Sequence, residues 1–180
     1  MTAGVGYYEV RLIGTDGLTK PETAAITAMV RELVAGGAAL GWVDPPEPDE
    51  VELLLAEVTT GIHSGDAALA VVFDAEDVVA GFGYWRRYLR PTHRPHADVE
   101  KLAIAQSLRG RGAGRAVMTS LIAAAQARGV EVLTLDLRGD NTRAAVLYES
   151  LGFHRYGVLE RFVAVGGARY DKLLYAIDLR

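Results

Sequence analysis

Leu102–Arg115 reads LAIAQSLRGRGAGR, a short apolar run that passes straight into alternating arginine and glycine and then into an alanine-rich segment. That order predicts a strand, a tight loop and the start of a helix. Glycine lets the backbone curl sharply, and the first N–H groups of a helix have no intrahelical partner and point back into the loop. Such a loop is an anion site of pyrophosphate size, unless it is no more than a solvated turn. Arg109, Arg111 and Arg115 add charge, and a charge-assisted hydrogen bond to a phosphate oxygen is worth roughly 1.5–3 kcal/mol.

The elements on either side fit this reading. From Gly112 to Arg128 the spacing predicts a helix: Val117, Met118, Leu121, Ile122 and Ala125 form one apolar stripe, and Gly129 is placed to end it. Val130–Leu137 is the next strand, so together with the strand Asp98–Ile104 it completes a βαβ unit with two parallel strands. Asn141 caps a short helix on which Ala144, Leu147, Tyr148 and Leu151 share a face, with Gly152 as its stop. Tyr156–Val163 and Tyr170–Leu179 read as an antiparallel pair turned at Gly166-Gly167.

Upstream, Tyr7–Ile13 alternates Glu9 and Arg11 with Tyr8, Val10 and Leu12, as a half-buried strand does. Thr19-x-x-Glu22 is a capping box with Pro21 in the first turn, and Ile26, Met29, Val30, Leu33 and Val34 keep helical spacing until Gly36-Gly37. The proline-rich stretch from Gly41 cannot continue that helix. A second one is expected from near Asp49, with Val51, Leu54, Leu55 and Val58 on one face. Trp42 then sits on a loop, capping the core or lining a pocket. Ala67–Phe73 and Val78–Tyr88 form a hairpin across Asp74–Asp77. Arg86, Arg87, Arg90, His93, Arg94 and His96 crowd around Pro91 and Pro95, as a basic rim for an anion or as a solvated loop. His93 and His96 have the spacing of a metal pair but no third ligand type nearby.

Two common glycine-loop chemistries drop out. No Gly-Lys-Ser/Thr occurs, and GxGxxG fails because Arg115 and Val117 stand where the third glycine is needed. The 180 residues are half hydrophobic, contain no cysteine and carry a net charge of −4. One α/β domain, 1–180, is therefore expected, without disulfides or a thiolate nucleophile. The charge argues against a general nucleic-acid binder. No apolar run approaches the ~20 residues of a membrane span, and the segment from Met1 lacks the basic and apolar regions of an export signal. A soluble, cytoplasmic protein without nucleic-acid or membrane partners is the expectation.

Arg109-x-x-Gly112-x-Gly114, between a strand and a helix, resembles the coenzyme A pyrophosphate loop of the GCN5-related N-acetyltransferase (GNAT) superfamily. A second stretch, Asn141-Thr-Arg-Ala-Ala-Val-Leu-Tyr148-Glu-Ser-Leu-Gly152-Phe153, is similar to that family's Asn-x-x-Ala-x-x-x-Tyr-x-x-x-Gly-Phe motif and falls one strand later. The resemblance implies an α/β fold with a mixed, mostly antiparallel central sheet, a parallel pair at a V-shaped splay, and flanking helices. It implies acetyl-CoA as co-substrate, no metal, and a primary amine of a small molecule or protein as acceptor, with a homodimer as one assembly. It further implies that Leu102, Ala103 and Ile104 pair with the pantetheine arm, with Ala105 at the splay. Arg109 and the backbone from Gly110 through Arg111, Gly112, Ala113 and Gly114 to Arg115 would then hold the pyrophosphate. Asn141 is a cofactor ligand by the same resemblance, or simply a helix cap. The first third of the chain and the loop before Asp98 carry no family signature.

The chemistry needs a base, because an alkyl ammonium with a pKa near ~10.4 has no lone pair at neutral pH. It needs a backbone N–H for the developing oxyanion and a proton donor for the thiolate. Tyr148 is the donor candidate, or else a core tyrosine. Asp98, Glu100 and Asp136 are the base candidates; by the resemblance Asp98 ranks first, since it occupies the place where many relatives carry Glu, its shorter side chain acting through a water, or else it is salt-bridged to the arginine-rich loop. A non-catalytic acyl-CoA sensor and a nucleotide-binding module are the competing classes.

Overall fold

The computed structural model describes residues 7–180; the opening segment at Met1 lies outside them. Seven strands form one sheet in the order β1-β2-β3-β4-β5-β7-β6. They are β1 (Tyr8–Leu12), β2 (Ala67–Asp74), β3 (Val79–Arg87), β4 (His96–Ile104), β5 (Val132–Arg138), β6 (His154–Val165) and β7 (Ala168–Asp178). Only β4 and β5 run parallel; the other neighbours are antiparallel. The helices are α1 (Lys20–Ala35), α2 (Pro48–Ser64), α3 (Ala113–Ala127) and α4 (Thr142–Glu149). The chain thus has the mixed sheet with one parallel pair expected from the resemblance.

Local chemistry accounts for the helix ends. Both halves of the Thr19/Glu22 capping box form, and Asn141 caps α4 through its side chain, which accepts from the Ala144 N–H at 3.3 Å. The apolar residues assigned to α1 are all buried, with Ile26 and Val30 fully so. α1 and α2 cover one face of the sheet with Val51, Leu55 and Val58, against Leu69, Phe82 and Tyr84. α3 and α4 cover the other with Met118, Leu121 and Tyr148, against Trp85, Leu133 and Leu135. Trp85 is fully buried there, and its indole N–H donates to the Leu121 carbonyl at 3.0 Å.

Several boundaries differ from the sequence reading. Gly112 is not the first helical residue but the cap before α3, at φ +87°, where a side chain is disfavoured. β4 begins at His96 rather than at Asp98, and Leu12, at the end of the edge strand β1, is exposed. A register shift pairs Tyr84 with Lys101 but Trp85 with Val99, which leaves Glu100 as an extra residue in β4. This bulge inverts the strand's alternation: Ala97 and Val99 face the α3 core, whereas Ala103, the next buried residue, faces α1 and α2.

Candidate active site

β4 and β5 pair from His96↔Val132 to Val99↔Leu135 and no further, although β4 stays on β3 as far as Ile104 and β5 stays on β7 as far as Arg138. The strands therefore part at Val99, next to the Glu100 bulge. A bulge bends its strand and raises the local twist, which is the physical reason β4 leaves its neighbour there. Beyond Val99 the β5-facing edge of β4 pairs with no strand among the described residues; the Ile104 carbonyl accepts from Arg109 Nε at 3.4 Å, and an extended, amide-bearing ligand could pair along this edge.

A cavity of about 560 Å³ opens beside that edge. It is lined by Leu102, Ala103, Ile104, Arg109, Gly110, Gly112, Ala113, Gly114 and Arg115 of the predicted strand and loop, and by Asn141. Gly110 and Gly112 both take left-handed φ, +77° and +87°, and so curl the loop under the start of α3. No acidic residue stands in the first turn of α3, which leaves the positive end of the helix free for an anion. An unpaired strand edge leading to a positively charged helix start fits a ligand with an amide arm and a pyrophosphate, and acetyl-CoA has both.

Two expected residues do not line this cavity. Arg111 is exposed, and Tyr148 lies in the core beneath α4, its ring edge-on to Phe153 at 5.8 Å between centroids. Arg115 reaches the cavity but also donates to the Ser150 hydroxyl at 2.6 Å, tying α3 to α4. Arg138, Asp140 and Arg143, and the segment Gly37–Leu40, line it as well. Sequence reasoning passed over these. Two arginines flanking the helix cap in Arg138-Gly-Asp-Asn-Thr-Arg143 were the available signal for part of that wall; nothing local marked residues 37–40.

Gly114 offers the cleanest test of the cavity. A Cβ there would meet Leu147 at 3.5 Å, an ordinary contact, and its φ is not positive, whereas any side chain at Gly112 is strained by the backbone. Gly114→Ala is expected to fold like the parent, and Gly114→Leu to fill the space beside the loop and weaken acetyl-CoA binding by about tenfold or more, roughly 1.4 kcal/mol. Calorimetry with acetyl-CoA checks this; equal affinity for the Leu variant would remove the loop from the binding site.

The three candidate bases lie around the splay but differ in their partners. Glu100 receives the Arg86 guanidinium at 2.8 Å on both oxygens and the Tyr84 hydroxyl at 3.0 Å. Asp136 is paired with Lys172 at 2.9 Å. Asp98 has no cationic partner; Thr134 donates a short hydrogen bond to it and the Tyr88 hydroxyl stands at 3.4 Å. Burial, with the neighbouring charges of Asp136 and Glu100 and against the Thr134 hydrogen bond, pushes its pKa up to about 6. The expected alternative of a salt bridge to the arginine-rich loop is not what forms. Asp66 takes that loop's charge instead, from Arg94 at 2.8 Å and Arg87 at 3.8 Å. The basic rim is correspondingly neutralised at Arg86, Arg87 and Arg94.

Asp98 and Glu100 line a second cavity of about 450 Å³, with Glu57, Arg86 and Tyr88. It lies on the α2 side of the sheet, while the core around α3 and α4 lies on the other. The Tyr148 phenol, within the field of Asp136, is pushed up to about 12, mainly by burial. It stays protonated at neutral pH.

The sequence model of the Acetyltransferase (GNAT) family matches residues 32–153, more than half of the chain. A [ribosomal protein bS18]-alanine N-acetyltransferase of Salmonella typhimurium is 27% identical over 117 residues, 65% of this chain and 76% of that protein. A mycothiol acetyltransferase of Renibacterium salmoninarum is 31% identical over 113 residues, 61% of this chain but 33% of that protein. Among solved structures, a phosphinothricin acetyltransferase from Sinorhizobium meliloti in complex with acetyl-CoA superimposes with a TM-score of 0.81 at 20% identity, covering 96% of this chain and 88% of that one. That last likeness is one of fold.

Proposed function

The chain belongs to the GNAT acetyltransferase family, and on that premise we propose that it transfers the acetyl group of acetyl-CoA to a primary amine by direct attack. The observation that carries this reading is the parting of β4 from β5 at Val99↔Leu135 over a cavity floored by the glycine loop and the start of α3. Acetyl-CoA supplies the acyl group as an activated thioester. The free edge of β4 at Leu102–Ile104 holds the amide arm, and backbone N–H groups at the head of α3 hold the pyrophosphate, with Arg109 and Arg115 beside them. The Asn141 side-chain oxygen accepts from the cap of α4, which leaves its amide nitrogen free to donate to the ligand.

Asp98 takes the amine's proton. Of the three carboxylates it alone lacks a cation, and a base with a pKa of about 6 is ionised at neutral pH yet close enough to it to turn over. A backbone N–H on the splayed part of β4 stabilises the charge that develops on the thioester oxygen. Tyr148 offers its hydroxyl proton to the departing sulfur from the α4 side.

The relatives' names span a ribosomal protein, mycothiol and phosphinothricin, so we propose the acceptor only as an amine of a small molecule or a protein. No described helix is long and apolar enough to cross a membrane, and we place the enzyme in the cytoplasm. Release of free thiol from acetyl-CoA, measured against a panel of N-terminal peptides, lysine peptides, polyamines and amino-acid analogues, is the test. At least one amine should give saturable turnover. Tight binding of acetyl-CoA without turnover on any amine would replace this reading with that of an acyl-CoA sensor.

A further inference from the structure

The segment 36–47 between α1 and α2 supplies one wall of the large cavity through Gly37–Leu40. Its own backbone hydrogen bonds stay within it, as from Leu40 N–H to the Ala38 carbonyl at 3.0 Å, or run back to the helices it joins, as from Gly37 N–H to the Val34 carbonyl and from Ala38 N–H to the Leu33 carbonyl, both 2.9 Å. Among the described residues, one hydrogen bond ties it to the sheet: Lys101 Nζ donates to the Leu40 carbonyl at 2.9 Å. The same ammonium sits over the Trp42 ring at 4.3 Å from its centroid. Gly41 between them takes φ +93°, which lets the backbone fold around the ammonium. Lys101 has no carboxylate partner among the described ion pairs, and burial lowers its pKa. In β4 it follows the Glu100 bulge and immediately precedes Leu102, the first residue of the strand edge that lines the cavity.

We propose that Lys101 is a positioning residue, which through the Leu40 carbonyl and the Trp42 ring holds the 36–47 segment in place as a wall of the cavity. It touches neither the ligand nor the reacting atoms. A long side chain is stretched from the strand to the loop, where a carbonyl and an aromatic face share one charge; removing the charge releases both contacts together. The bulge matters here too, since by adding Glu100 it turns Lys101 to the α1 side. This inference rests on the reading of the cavity as the acetyl-CoA site.

Lys101→Met keeps the stem and its packing but removes the ammonium, and Lys101→Arg keeps a cation that can serve both partners. Trp85 is fully buried and Trp42 half-buried, so acrylamide quenching of the protein's fluorescence, without any ligand, reads the loop. Quenching should rise in Lys101→Met and return toward the parent in Lys101→Arg. With the best amine, the KM for acetyl-CoA should rise about tenfold in the Met variant while kcat at saturation stays near the parent's, and Arg should recover most of the loss. Unchanged quenching in Lys101→Met overturns the tether, whatever the kinetics. Increased quenching with an unchanged KM overturns the role of the loop as a cavity wall. Should the parent fail to bind acetyl-CoA in calorimetry, the functional reading falls instead, and the quenching result still decides the tether.

Discussion

Asp98→Asn is expected to lower kcat/KM by about 10²–10⁴-fold between pH 7 and 8, the usual scale for loss of a general base. The parent should gain activity as pH rises through about 6, the value to which burial raises this carboxyl, and the variant should lack that limb. The deficit narrows at both ends. Below pH 6 the parent's own Asp98 is protonated, and toward the amine's pKa the acceptor arrives already deprotonated. Glu100→Gln and Asp136→Asn, whose carboxylates are paired with Arg86 and Lys172, should keep the limb but shift it toward lower pH, because each removes a negative charge that helps to raise Asp98. A uniform loss at every pH would assign Asp98 a structural role.

Stability gives a second, activity-independent reading of the same residue. A carboxyl at 3.8 when unfolded and about 6 when folded binds its proton more tightly in the native state. Its contribution to stability is therefore fully present below the unfolded value and is lost as pH rises through about 6. Asn mimics the protonated form, so Asp98→Asn should be more stable than the parent at pH 8, by roughly 2–3 kcal/mol at most, and no more stable at pH 3.5. Denaturant midpoints at the two pH values measure this. A variant destabilised at pH 8 would show that the native site favours the charged form, and the raised pKa would be wrong.

Tyr148→Phe is expected to cost about 10²-fold in single-turnover chemistry with little change in acetyl-CoA affinity. The lower end of the general-acid range applies because a phenol held near 12 is a weaker acid than a free one, although it keeps its proton throughout the neutral range. The substitution preserves the ring and its edge-on contact with Phe153, so the folded state should be barely affected. Tyr148 does not line the large cavity, which makes this a demanding test. Parent-rate chemistry in the Phe variant, with product release excluded as the limiting step, would leave Tyr148 as a core residue only.

What the sequence by itself determined was whatever is written within a turn or two of chain. The Thr19/Glu22 box, the Asn141 cap, the glycines at 110 and 112 and the apolar stripe of α3 act through contacts between near neighbours, and their consequences do not depend on what the sheet does. The glycine loop and the helix after it were legible for that reason, as was the parallel pair that a strand–helix–strand unit imposes. The tertiary structure alone decided the rest. That β7 inserts between β5 and β6, and that an extra residue sits at Glu100, depend on which strand edges meet. Period-two alternation along β4 cannot announce its own interruption. What each of the three carboxylates faces turned on partners 10 to 36 residues away: Arg86 for Glu100, Lys172 for Asp136, and for Asp98 only Thr134 and Tyr88. The arginine-rich loop spends its charge on Asp66, and Lys101 reaches back to Leu40. Charge and burial at a site are sums over everything the fold brings near it, and no local window of sequence contains those terms.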